Sequence, residues 1–215
     1  MNLVSAARVV FIVIFGVFVL TSCGRGDAPA SVDQTTHDDM DSMPIEFRVA
    51  FMSGHVETGL ALYRAGVPDE AAPHLLHPVS EAHAAEREGI DALGLAAEIF
   101  ERVSQALDDG RPASEIEPML VQAEANLALL QANAGGDSRA IIAYLMDVTD
   151  AGEYQDAFGF ATVARQHAQR LGDEPLIAEI DALVGLWPAG APLAASTPAP
   201  VDDISARIAE VRSIL

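Results

Sequence analysis

From Ile45 onward the apolar residues recur at helical spacing, with little of the two-residue alternation that a half-buried strand needs. Alanine, the best helix former, supplies 38 of the 215 residues, and Leu, Glu, Gln and Arg supply most of the rest of these segments. Glycine and proline cut the pattern into lengths that suit single helices. Gly66 and Pro68 stop the first, Asp108-Asp109-Gly110-Arg111-Pro112 stops a later one, and Gly135-Gly136 and Gly172 end two more. The spacing predicts helices over 45–65, 69–77, 79–87, 89–108, 114–134, 137–150, 153–171, 174–187 and 203–214. Ser114 and Glu117 form a capping-box pattern ahead of Met119, Leu120, Ala123, Leu127 and Leu130, which share one face. The expected fold class is all-α, a multi-helix bundle of antiparallel helix pairs, and an aromatic content of 6% suits it.

Charge narrows the function classes. Thirty-two acidic residues against twelve arginines, with no lysine, give a net charge of -20, which repels phosphate backbones and argues against a nucleic-acid partner. Without lysine there is no Schiff-base chemistry and no phosphate-loop lysine. The single cysteine, Cys23, leaves no internal disulfide and no cysteine-cluster metal site. Ser80, His83 and Asp91 have the residue types of a nucleophile set, but no Gly-x-Ser-x-Gly elbow accompanies them, so the chain reads as a protein that is not an enzyme.

The first residues read as an address. Arg8 precedes the apolar run Val9–Leu20, too short to span a bilayer and suited to a signal-peptide core. Leu20-Thr21-Ser22-Cys23 at its end resembles the bacterial lipobox. That resemblance implies cleavage before Cys23 and acyl chains, palmitate among them, that attach the chain to a membrane. Gly24 after the cysteine resembles the sorting pattern of outer-membrane lipoproteins, so the expected location is the cell envelope, at the periplasmic face of the outer membrane. The expected organisation is a lipoprotein signal peptide (1–22), a flexible acidic tether (23–44), a helical bundle domain (45–187), a Pro/Ala-rich linker (188–202) and a C-terminal amphipathic helix (203–215).

Histidines cluster in the bundle's first half. His55, His74, His77 and His83 fall close together in sequence, while His37 and His167 lie apart. Neutral imidazole nitrogens beside a carboxylate are the ligands that Fe, Cu or Zn accept. On this chemistry His55, His74, His77 and Glu81 are the candidate metal ligands, with Glu153 and Asp156 as auxiliary acids; histidines capping helix ends beside Pro73 and Pro78 are the alternative. His83, about 240° round an ideal helix from His77, is expected to face away. Met52, Met119 and Met146 are expected to be core filler rather than copper ligands.

Two resemblances bear on this cluster. Glu153-Tyr154-Gln155-Asp156-Ala157-Phe158-Gly159-Phe160, following Tyr144-Leu145, resembles the helical periplasmic segment of some bacterial high-affinity iron permeases. The histidine-rich first half is similar to imelysin-like periplasmic bundles, which bind metal through His and Glu, although His55 is followed by Val56-Glu57 and not by a His-x-x-Glu spacing. They imply a lipid-anchored protein that captures or hands off a transition metal. Gly59-Leu60-Ala61-Leu62-Tyr63-Arg64-Ala65-Gly66 with Ala71-Ala72 resembles half a tetratricopeptide repeat, without the 34-residue period. It implies the alternative, a helical-repeat module that binds another envelope protein.

Overall fold

Eight α-helices, and no strand, make up the described residues of the computed structural model, which are 42–84, 87–188, 192–193 and 200–215. They are α1 (Ile45–Arg64), α2 (Pro68–Leu76), α3 (Ala97–Asp108), α4 (Ala113–Ala134), α5 (Ser138–Ala151), α6 (Tyr154–Leu171), α7 (Glu174–Val184) and α8 (Val201–Ile214). The expected signal peptide, Cys23, His37 and most of the expected tether lie outside the described residues, as does part of the expected 188–202 linker. No described helix is long and apolar enough to cross a membrane.

The first helix organises the bundle. It packs against α2 and α4 on one side and against α5 and α6 on the other. Two main apolar clusters flank it. Leu60, Leu75, Phe100, Leu107 and Leu120 fill one, while Ile142, Leu145, Phe160, Ile180 and Trp187 fill the other, and all are essentially inaccessible to solvent. A repeat solenoid packs each unit only on its sequence neighbours. Here α1 packs on α6, ninety residues later, so the architecture is a closed bundle.

Glycine makes the α1–α6 crossing close. A Cβ placed on Gly159 would lie 1.9 Å from the Gly54 carbonyl oxygen, and one on Gly54 would lie 2.2 Å from Cδ1 of Phe160. The Thr58 hydroxyl donates across this contact, 3.1 Å from the carbonyl oxygens of both Gly54 and Gln155. One turn further along α1, a Cβ on Gly59 would meet Leu75 Cγ at 2.7 Å and the Ala71 carbonyl oxygen at 3.1 Å. Small residues on two faces of one helix thus draw α6 and α2 in to backbone range.

The C-terminal segment belongs to the same core. Ile204, Ile208 and Val211 of α8 are buried with the α5–α7 residues. Arg212 pairs with Asp147 at 2.7 Å, and Ser205 donates to Asp150 at 2.7 Å, tying α8 to α5. Trp187 donates its Nε1–H to the Tyr154 carbonyl at 2.9 Å and packs on Tyr154 and Phe158.

Three local expectations need correction. Among the described residues of 79–87 there is no α-helix; short 3-10 turns at His77–Val79 and Glu81–His83 follow Leu76, because Pro78 interrupts the helical bonding. The helix expected over 89–108 begins only at Ala97. Gly89 and Gly94 adopt positive φ (80° and 102°), and side chains from elsewhere hold the carbonyls before it. Buried Arg48 donates to Glu88 O at 2.6 Å, Asn133 to Leu93 O at 2.8 Å, and Asn126 donates to Gly94 O while accepting from Ala96 N. The capping box is absent as well: Pro112 occupies the N-cap of α4, no side chain caps it, and Ser114 lies inside the first turn.

Replacing Gly159 with alanine tests the crossing. Elsewhere in a helix this change gains up to about 1 kcal/mol from propensity. Here the added methyl meets backbone, so Gly159→Ala should destabilise the protein by about 2–3 kcal/mol in urea unfolding. Gly54→Ala, whose methyl would meet the buried Phe160 ring and its backbone nitrogen, should destabilise as well; a neutral or stabilising Gly159→Ala would contradict the close crossing.

Candidate metal centre

The α1–α6 and α1–α2 contacts determine which polar side chains meet. His55 lies four residues before Gly59 on α1, Asp156 three before Gly159 on α6, and His74 three after Ala71 on α2, so each shares a face with a close-contact residue. The three side chains converge. Asp156 Oδ1 is 3.0 Å from His55 Nδ1 and 3.2 Å from His74 Nδ1. One donor atom from each residue lies within 4.8 Å of the others, so the group could hold a metal ion. In a tetrahedral shell of about 2.0 Å radius, neighbouring ligand atoms lie about 3.3 Å apart. The two short edges are close to that.

Asp156 Oδ1 has the two imidazole Nδ1 atoms as its close polar neighbours, though neither is well aligned as a donor, and His55 Nε2 is buried without a hydrogen-bond partner among the described residues. An unsatisfied buried polar atom costs about 1–3 kcal/mol. His74 is more constrained. Gln155 Nε2 donates to Glu70 Oε2 at 2.6 Å, which turns Gln155 Oε1 toward His74 Nε2 at 3.3 Å. An amide oxygen only accepts, so His74 Nε2 carries the proton. In the neutral ring Nδ1 then bears a lone pair aimed at a carboxylate oxygen 3.2 Å away. Two acceptors at that distance need a shared cation, either a second ring proton or a metal ion. The carboxylate itself is ionised: burial opposes its charge, but hydrogen bonds with His55 and His74, and then their charges, outweigh that and hold its pKa well below the usual carboxylate range. Its place in the first turn of α6 favours the anion further.

The surroundings are aromatic. Phe51 and Phe160 stack at 4.9 Å and both meet the His55 ring edge-on, at 4.9 and 5.3 Å. The side chains of His55, His74 and Asp156 retain 10%, 16% and 20% of their exposure, so the group is shielded but not sealed.

Of the four residues expected as principal ligands, His55 and His74 join this group. His77 instead lies face to face on His55, ring centroids 3.7 Å apart and planes 9° from parallel. Parallel rings direct their in-plane lone pairs side by side and not to one point. Glu81 is exposed on its turn, and Glu153 is exposed at the N-cap of α6. Asp156, expected only as an auxiliary acid, is the carboxylate of the group. His83 does not face away from His77; it stacks on it at 3.7 Å. Met52 and Met146 are buried in the apolar clusters. Sequence reasoning missed Gln155 and Glu70, which orient His74, because their pairing spans α2 and α6.

Compared with known proteins, the chain matches no family model, no curated protein and no solved structure.

His167 stands apart from the cluster. Burial, and secondarily the charge of Arg170, lower its pKa from about 6.5 to about 4, and its Nδ1 lies 3.2 Å from Ser138 Oγ. The unfolded chain therefore takes up a proton near pH 6.5 that the folded protein refuses until about pH 4. Stability should fall as pH drops through this window, by at most about 3 kcal/mol from this residue. Urea midpoints at pH 7 and pH 5 check it: His167→Gln should flatten the pH dependence, and an unchanged slope would refute it.

Proposed function

We propose that this chain is a metal-binding protein of the cell envelope, held to the outer membrane by lipid on Cys23, that captures a transition metal or hands it on. The convergence of His55, His74 and Asp156 around an acceptor–acceptor contact carries the reading. Two imidazoles and one carboxylate form a borderline ligand set suited to Fe, Cu or Zn rather than to Mg or Ca. Three protein ligands leave coordination positions open, which suits exchange of the ion better than permanent structural binding. Gln155 would fix the tautomer of His74, the usual role of a hydrogen-bond partner behind a metal-binding histidine. The acidic surface, with a net charge of -20, would raise the local concentration of cations without choosing among them, and the histidines would do the choosing. The lipobox and the likeness to periplasmic metal-uptake bundles support the location and role.

The alternative, an interaction module for an envelope partner, would favour a concave face and histidines that do not converge. Two of the four clustered histidines meet a common carboxylate, which favours the metal reading.

Calorimetric titration of the purified full-length chain with Zn²⁺, Cu²⁺ and Fe²⁺ tests the reading. One ion should bind per chain. Asp156→Asn and His74→Ala should each weaken binding by more than about 100-fold, and Gln155→Leu by about 10–100-fold. Equal binding by the wild type and the Asp156→Asn, His74→Ala double variant would show that the site does not bind metal.

A further inference from the structure

The first turn of α6 carries two residues of the three-donor group and its support, Asp156 and Gln155. Helix ends fray, and a metal site tolerates ligand displacements of only about 0.5 Å. Yet the turn has no side-chain cap: Glu153 stands at the N-cap and its side chain makes no capping bond. Two side chains from elsewhere in the chain hold the turn instead. The Thr58 hydroxyl of α1 donates to the Gln155 carbonyl at 3.1 Å, and the indole Nε1–H of Trp187 donates to the Tyr154 carbonyl at 2.9 Å.

The two donors act from different sides. Trp187 lies three residues beyond α7, is 2% exposed, and packs on Tyr154 and Phe158 with ring centroids 5.8 Å away in each case. Tyr154 and Phe158 are four residues apart and share a face of α6, whereas Asp156 is about 200° round the helix from both. Trp187 therefore grips the turn from the side away from the imidazoles, while Thr58 and the Gly54–Gly159 contact hold it on the near side. A helix carbonyl already receives the N–H four residues on, so the Tyr154 oxygen does not need a second donor. The buried indole needs an acceptor, and the one it takes is the backbone that leads into Gln155 and Asp156.

We propose that Trp187 is a positioning residue of the metal centre, fixing the first turn of α6 so that Asp156 and Gln155 meet the imidazoles. The inference rests on the proposed function and adds a residue that is not itself a ligand. Linkage is reciprocal, so an ion held by Asp156 in turn tightens the indole contact. Trp187 is the only tryptophan of the chain, and its fluorescence reports that change.

Trp187→Phe keeps an aromatic ring and removes the N–H. In the full-length chain it should raise the calorimetric dissociation constant for Zn²⁺ about tenfold and shift the visible absorption of bound Co²⁺. Ile208→Val trims the same apolar cluster from α8 and shows what lost packing alone does; it should leave both readouts as in the wild type. Wild-type emission should change during Zn²⁺ titration with the midpoint of the calorimetric curve. A Trp187→Phe chain with the wild-type dissociation constant and Co²⁺ spectrum would overturn the positioning role and leave the site reading intact. Equal losses in Trp187→Phe and Ile208→Val would overturn it too. If circular dichroism shows that Trp187→Phe does not fold, the emission titration decides: unchanged emission from a wild type that binds Zn²⁺ would overturn the role. A wild-type chain that binds no Zn²⁺ would overturn the site reading, and the role with it.

Discussion

The backbone contact between Gly54 and Gly159 is the constraint on which the rest of the structure depends. Neither helix could approach the other this closely with a side chain at either position, since the added carbon would sit 2.2 Å or less from its neighbour. The approach brings α6 against α1 at a register that places Asp156 beside His55, and the Thr58 hydroxyl bridges the two backbones at the same level. Gly59 does the same for α2 and His74 one turn away. A helix that is apolar on both sides and small at its contact points becomes the axis of the bundle. The polar group then forms where the two close contacts overlap.

That group is chemically unusual for a helical core. A half-buried carboxylate faces two imidazole nitrogens, and one of the rings has its proton directed elsewhere by Gln155 and Glu70. Buried charge is stable only when compensated, and an acceptor facing an acceptor is compensated only by a cation between them. The aromatic enclosure of Phe51 and Phe160 lowers the local dielectric and strengthens whatever cation is shared. The stack of His77 and His83 continues the imidazole surface outward from the same point.

Much of the fold was legible because its signals are local. Gly66 with Pro68, Gly135 with Gly136, and Gly172 end helices for reasons contained within a few residues, and those boundaries agree with the structure to within a residue or two. The helix expected over 89–108 lacks its first eight residues because Arg48, Asn126 and Asn133 reach the loop carbonyls from 32 to 40 residues away in the chain. No periodicity reports such a bond. The site was half legible for the same reason. Clustering of His55 and His74 is visible in the sequence, but the choice among Glu81, Glu153 and Asp156 depends on the α1–α6 register. The small residues Gly54 and Gly159 were its one available sign. Reading Pro78 as the start of a new helix likewise turned His83 away from His77, where consecutive 3-10 turns bring the two rings together.

In the proposed function, an acidic surface would gather cations, a half-buried three-donor group would select among them, and open coordination would let the chosen ion leave again. Diffraction from crystals of the zinc-loaded protein at the zinc absorption edge tests this account most directly. The account predicts one strong anomalous peak about 2.0–2.2 Å from His55 Nδ1, His74 Nδ1 and Asp156 Oδ1. Anomalous peaks only at exposed carboxylates, with none between these three side chains, would contradict it.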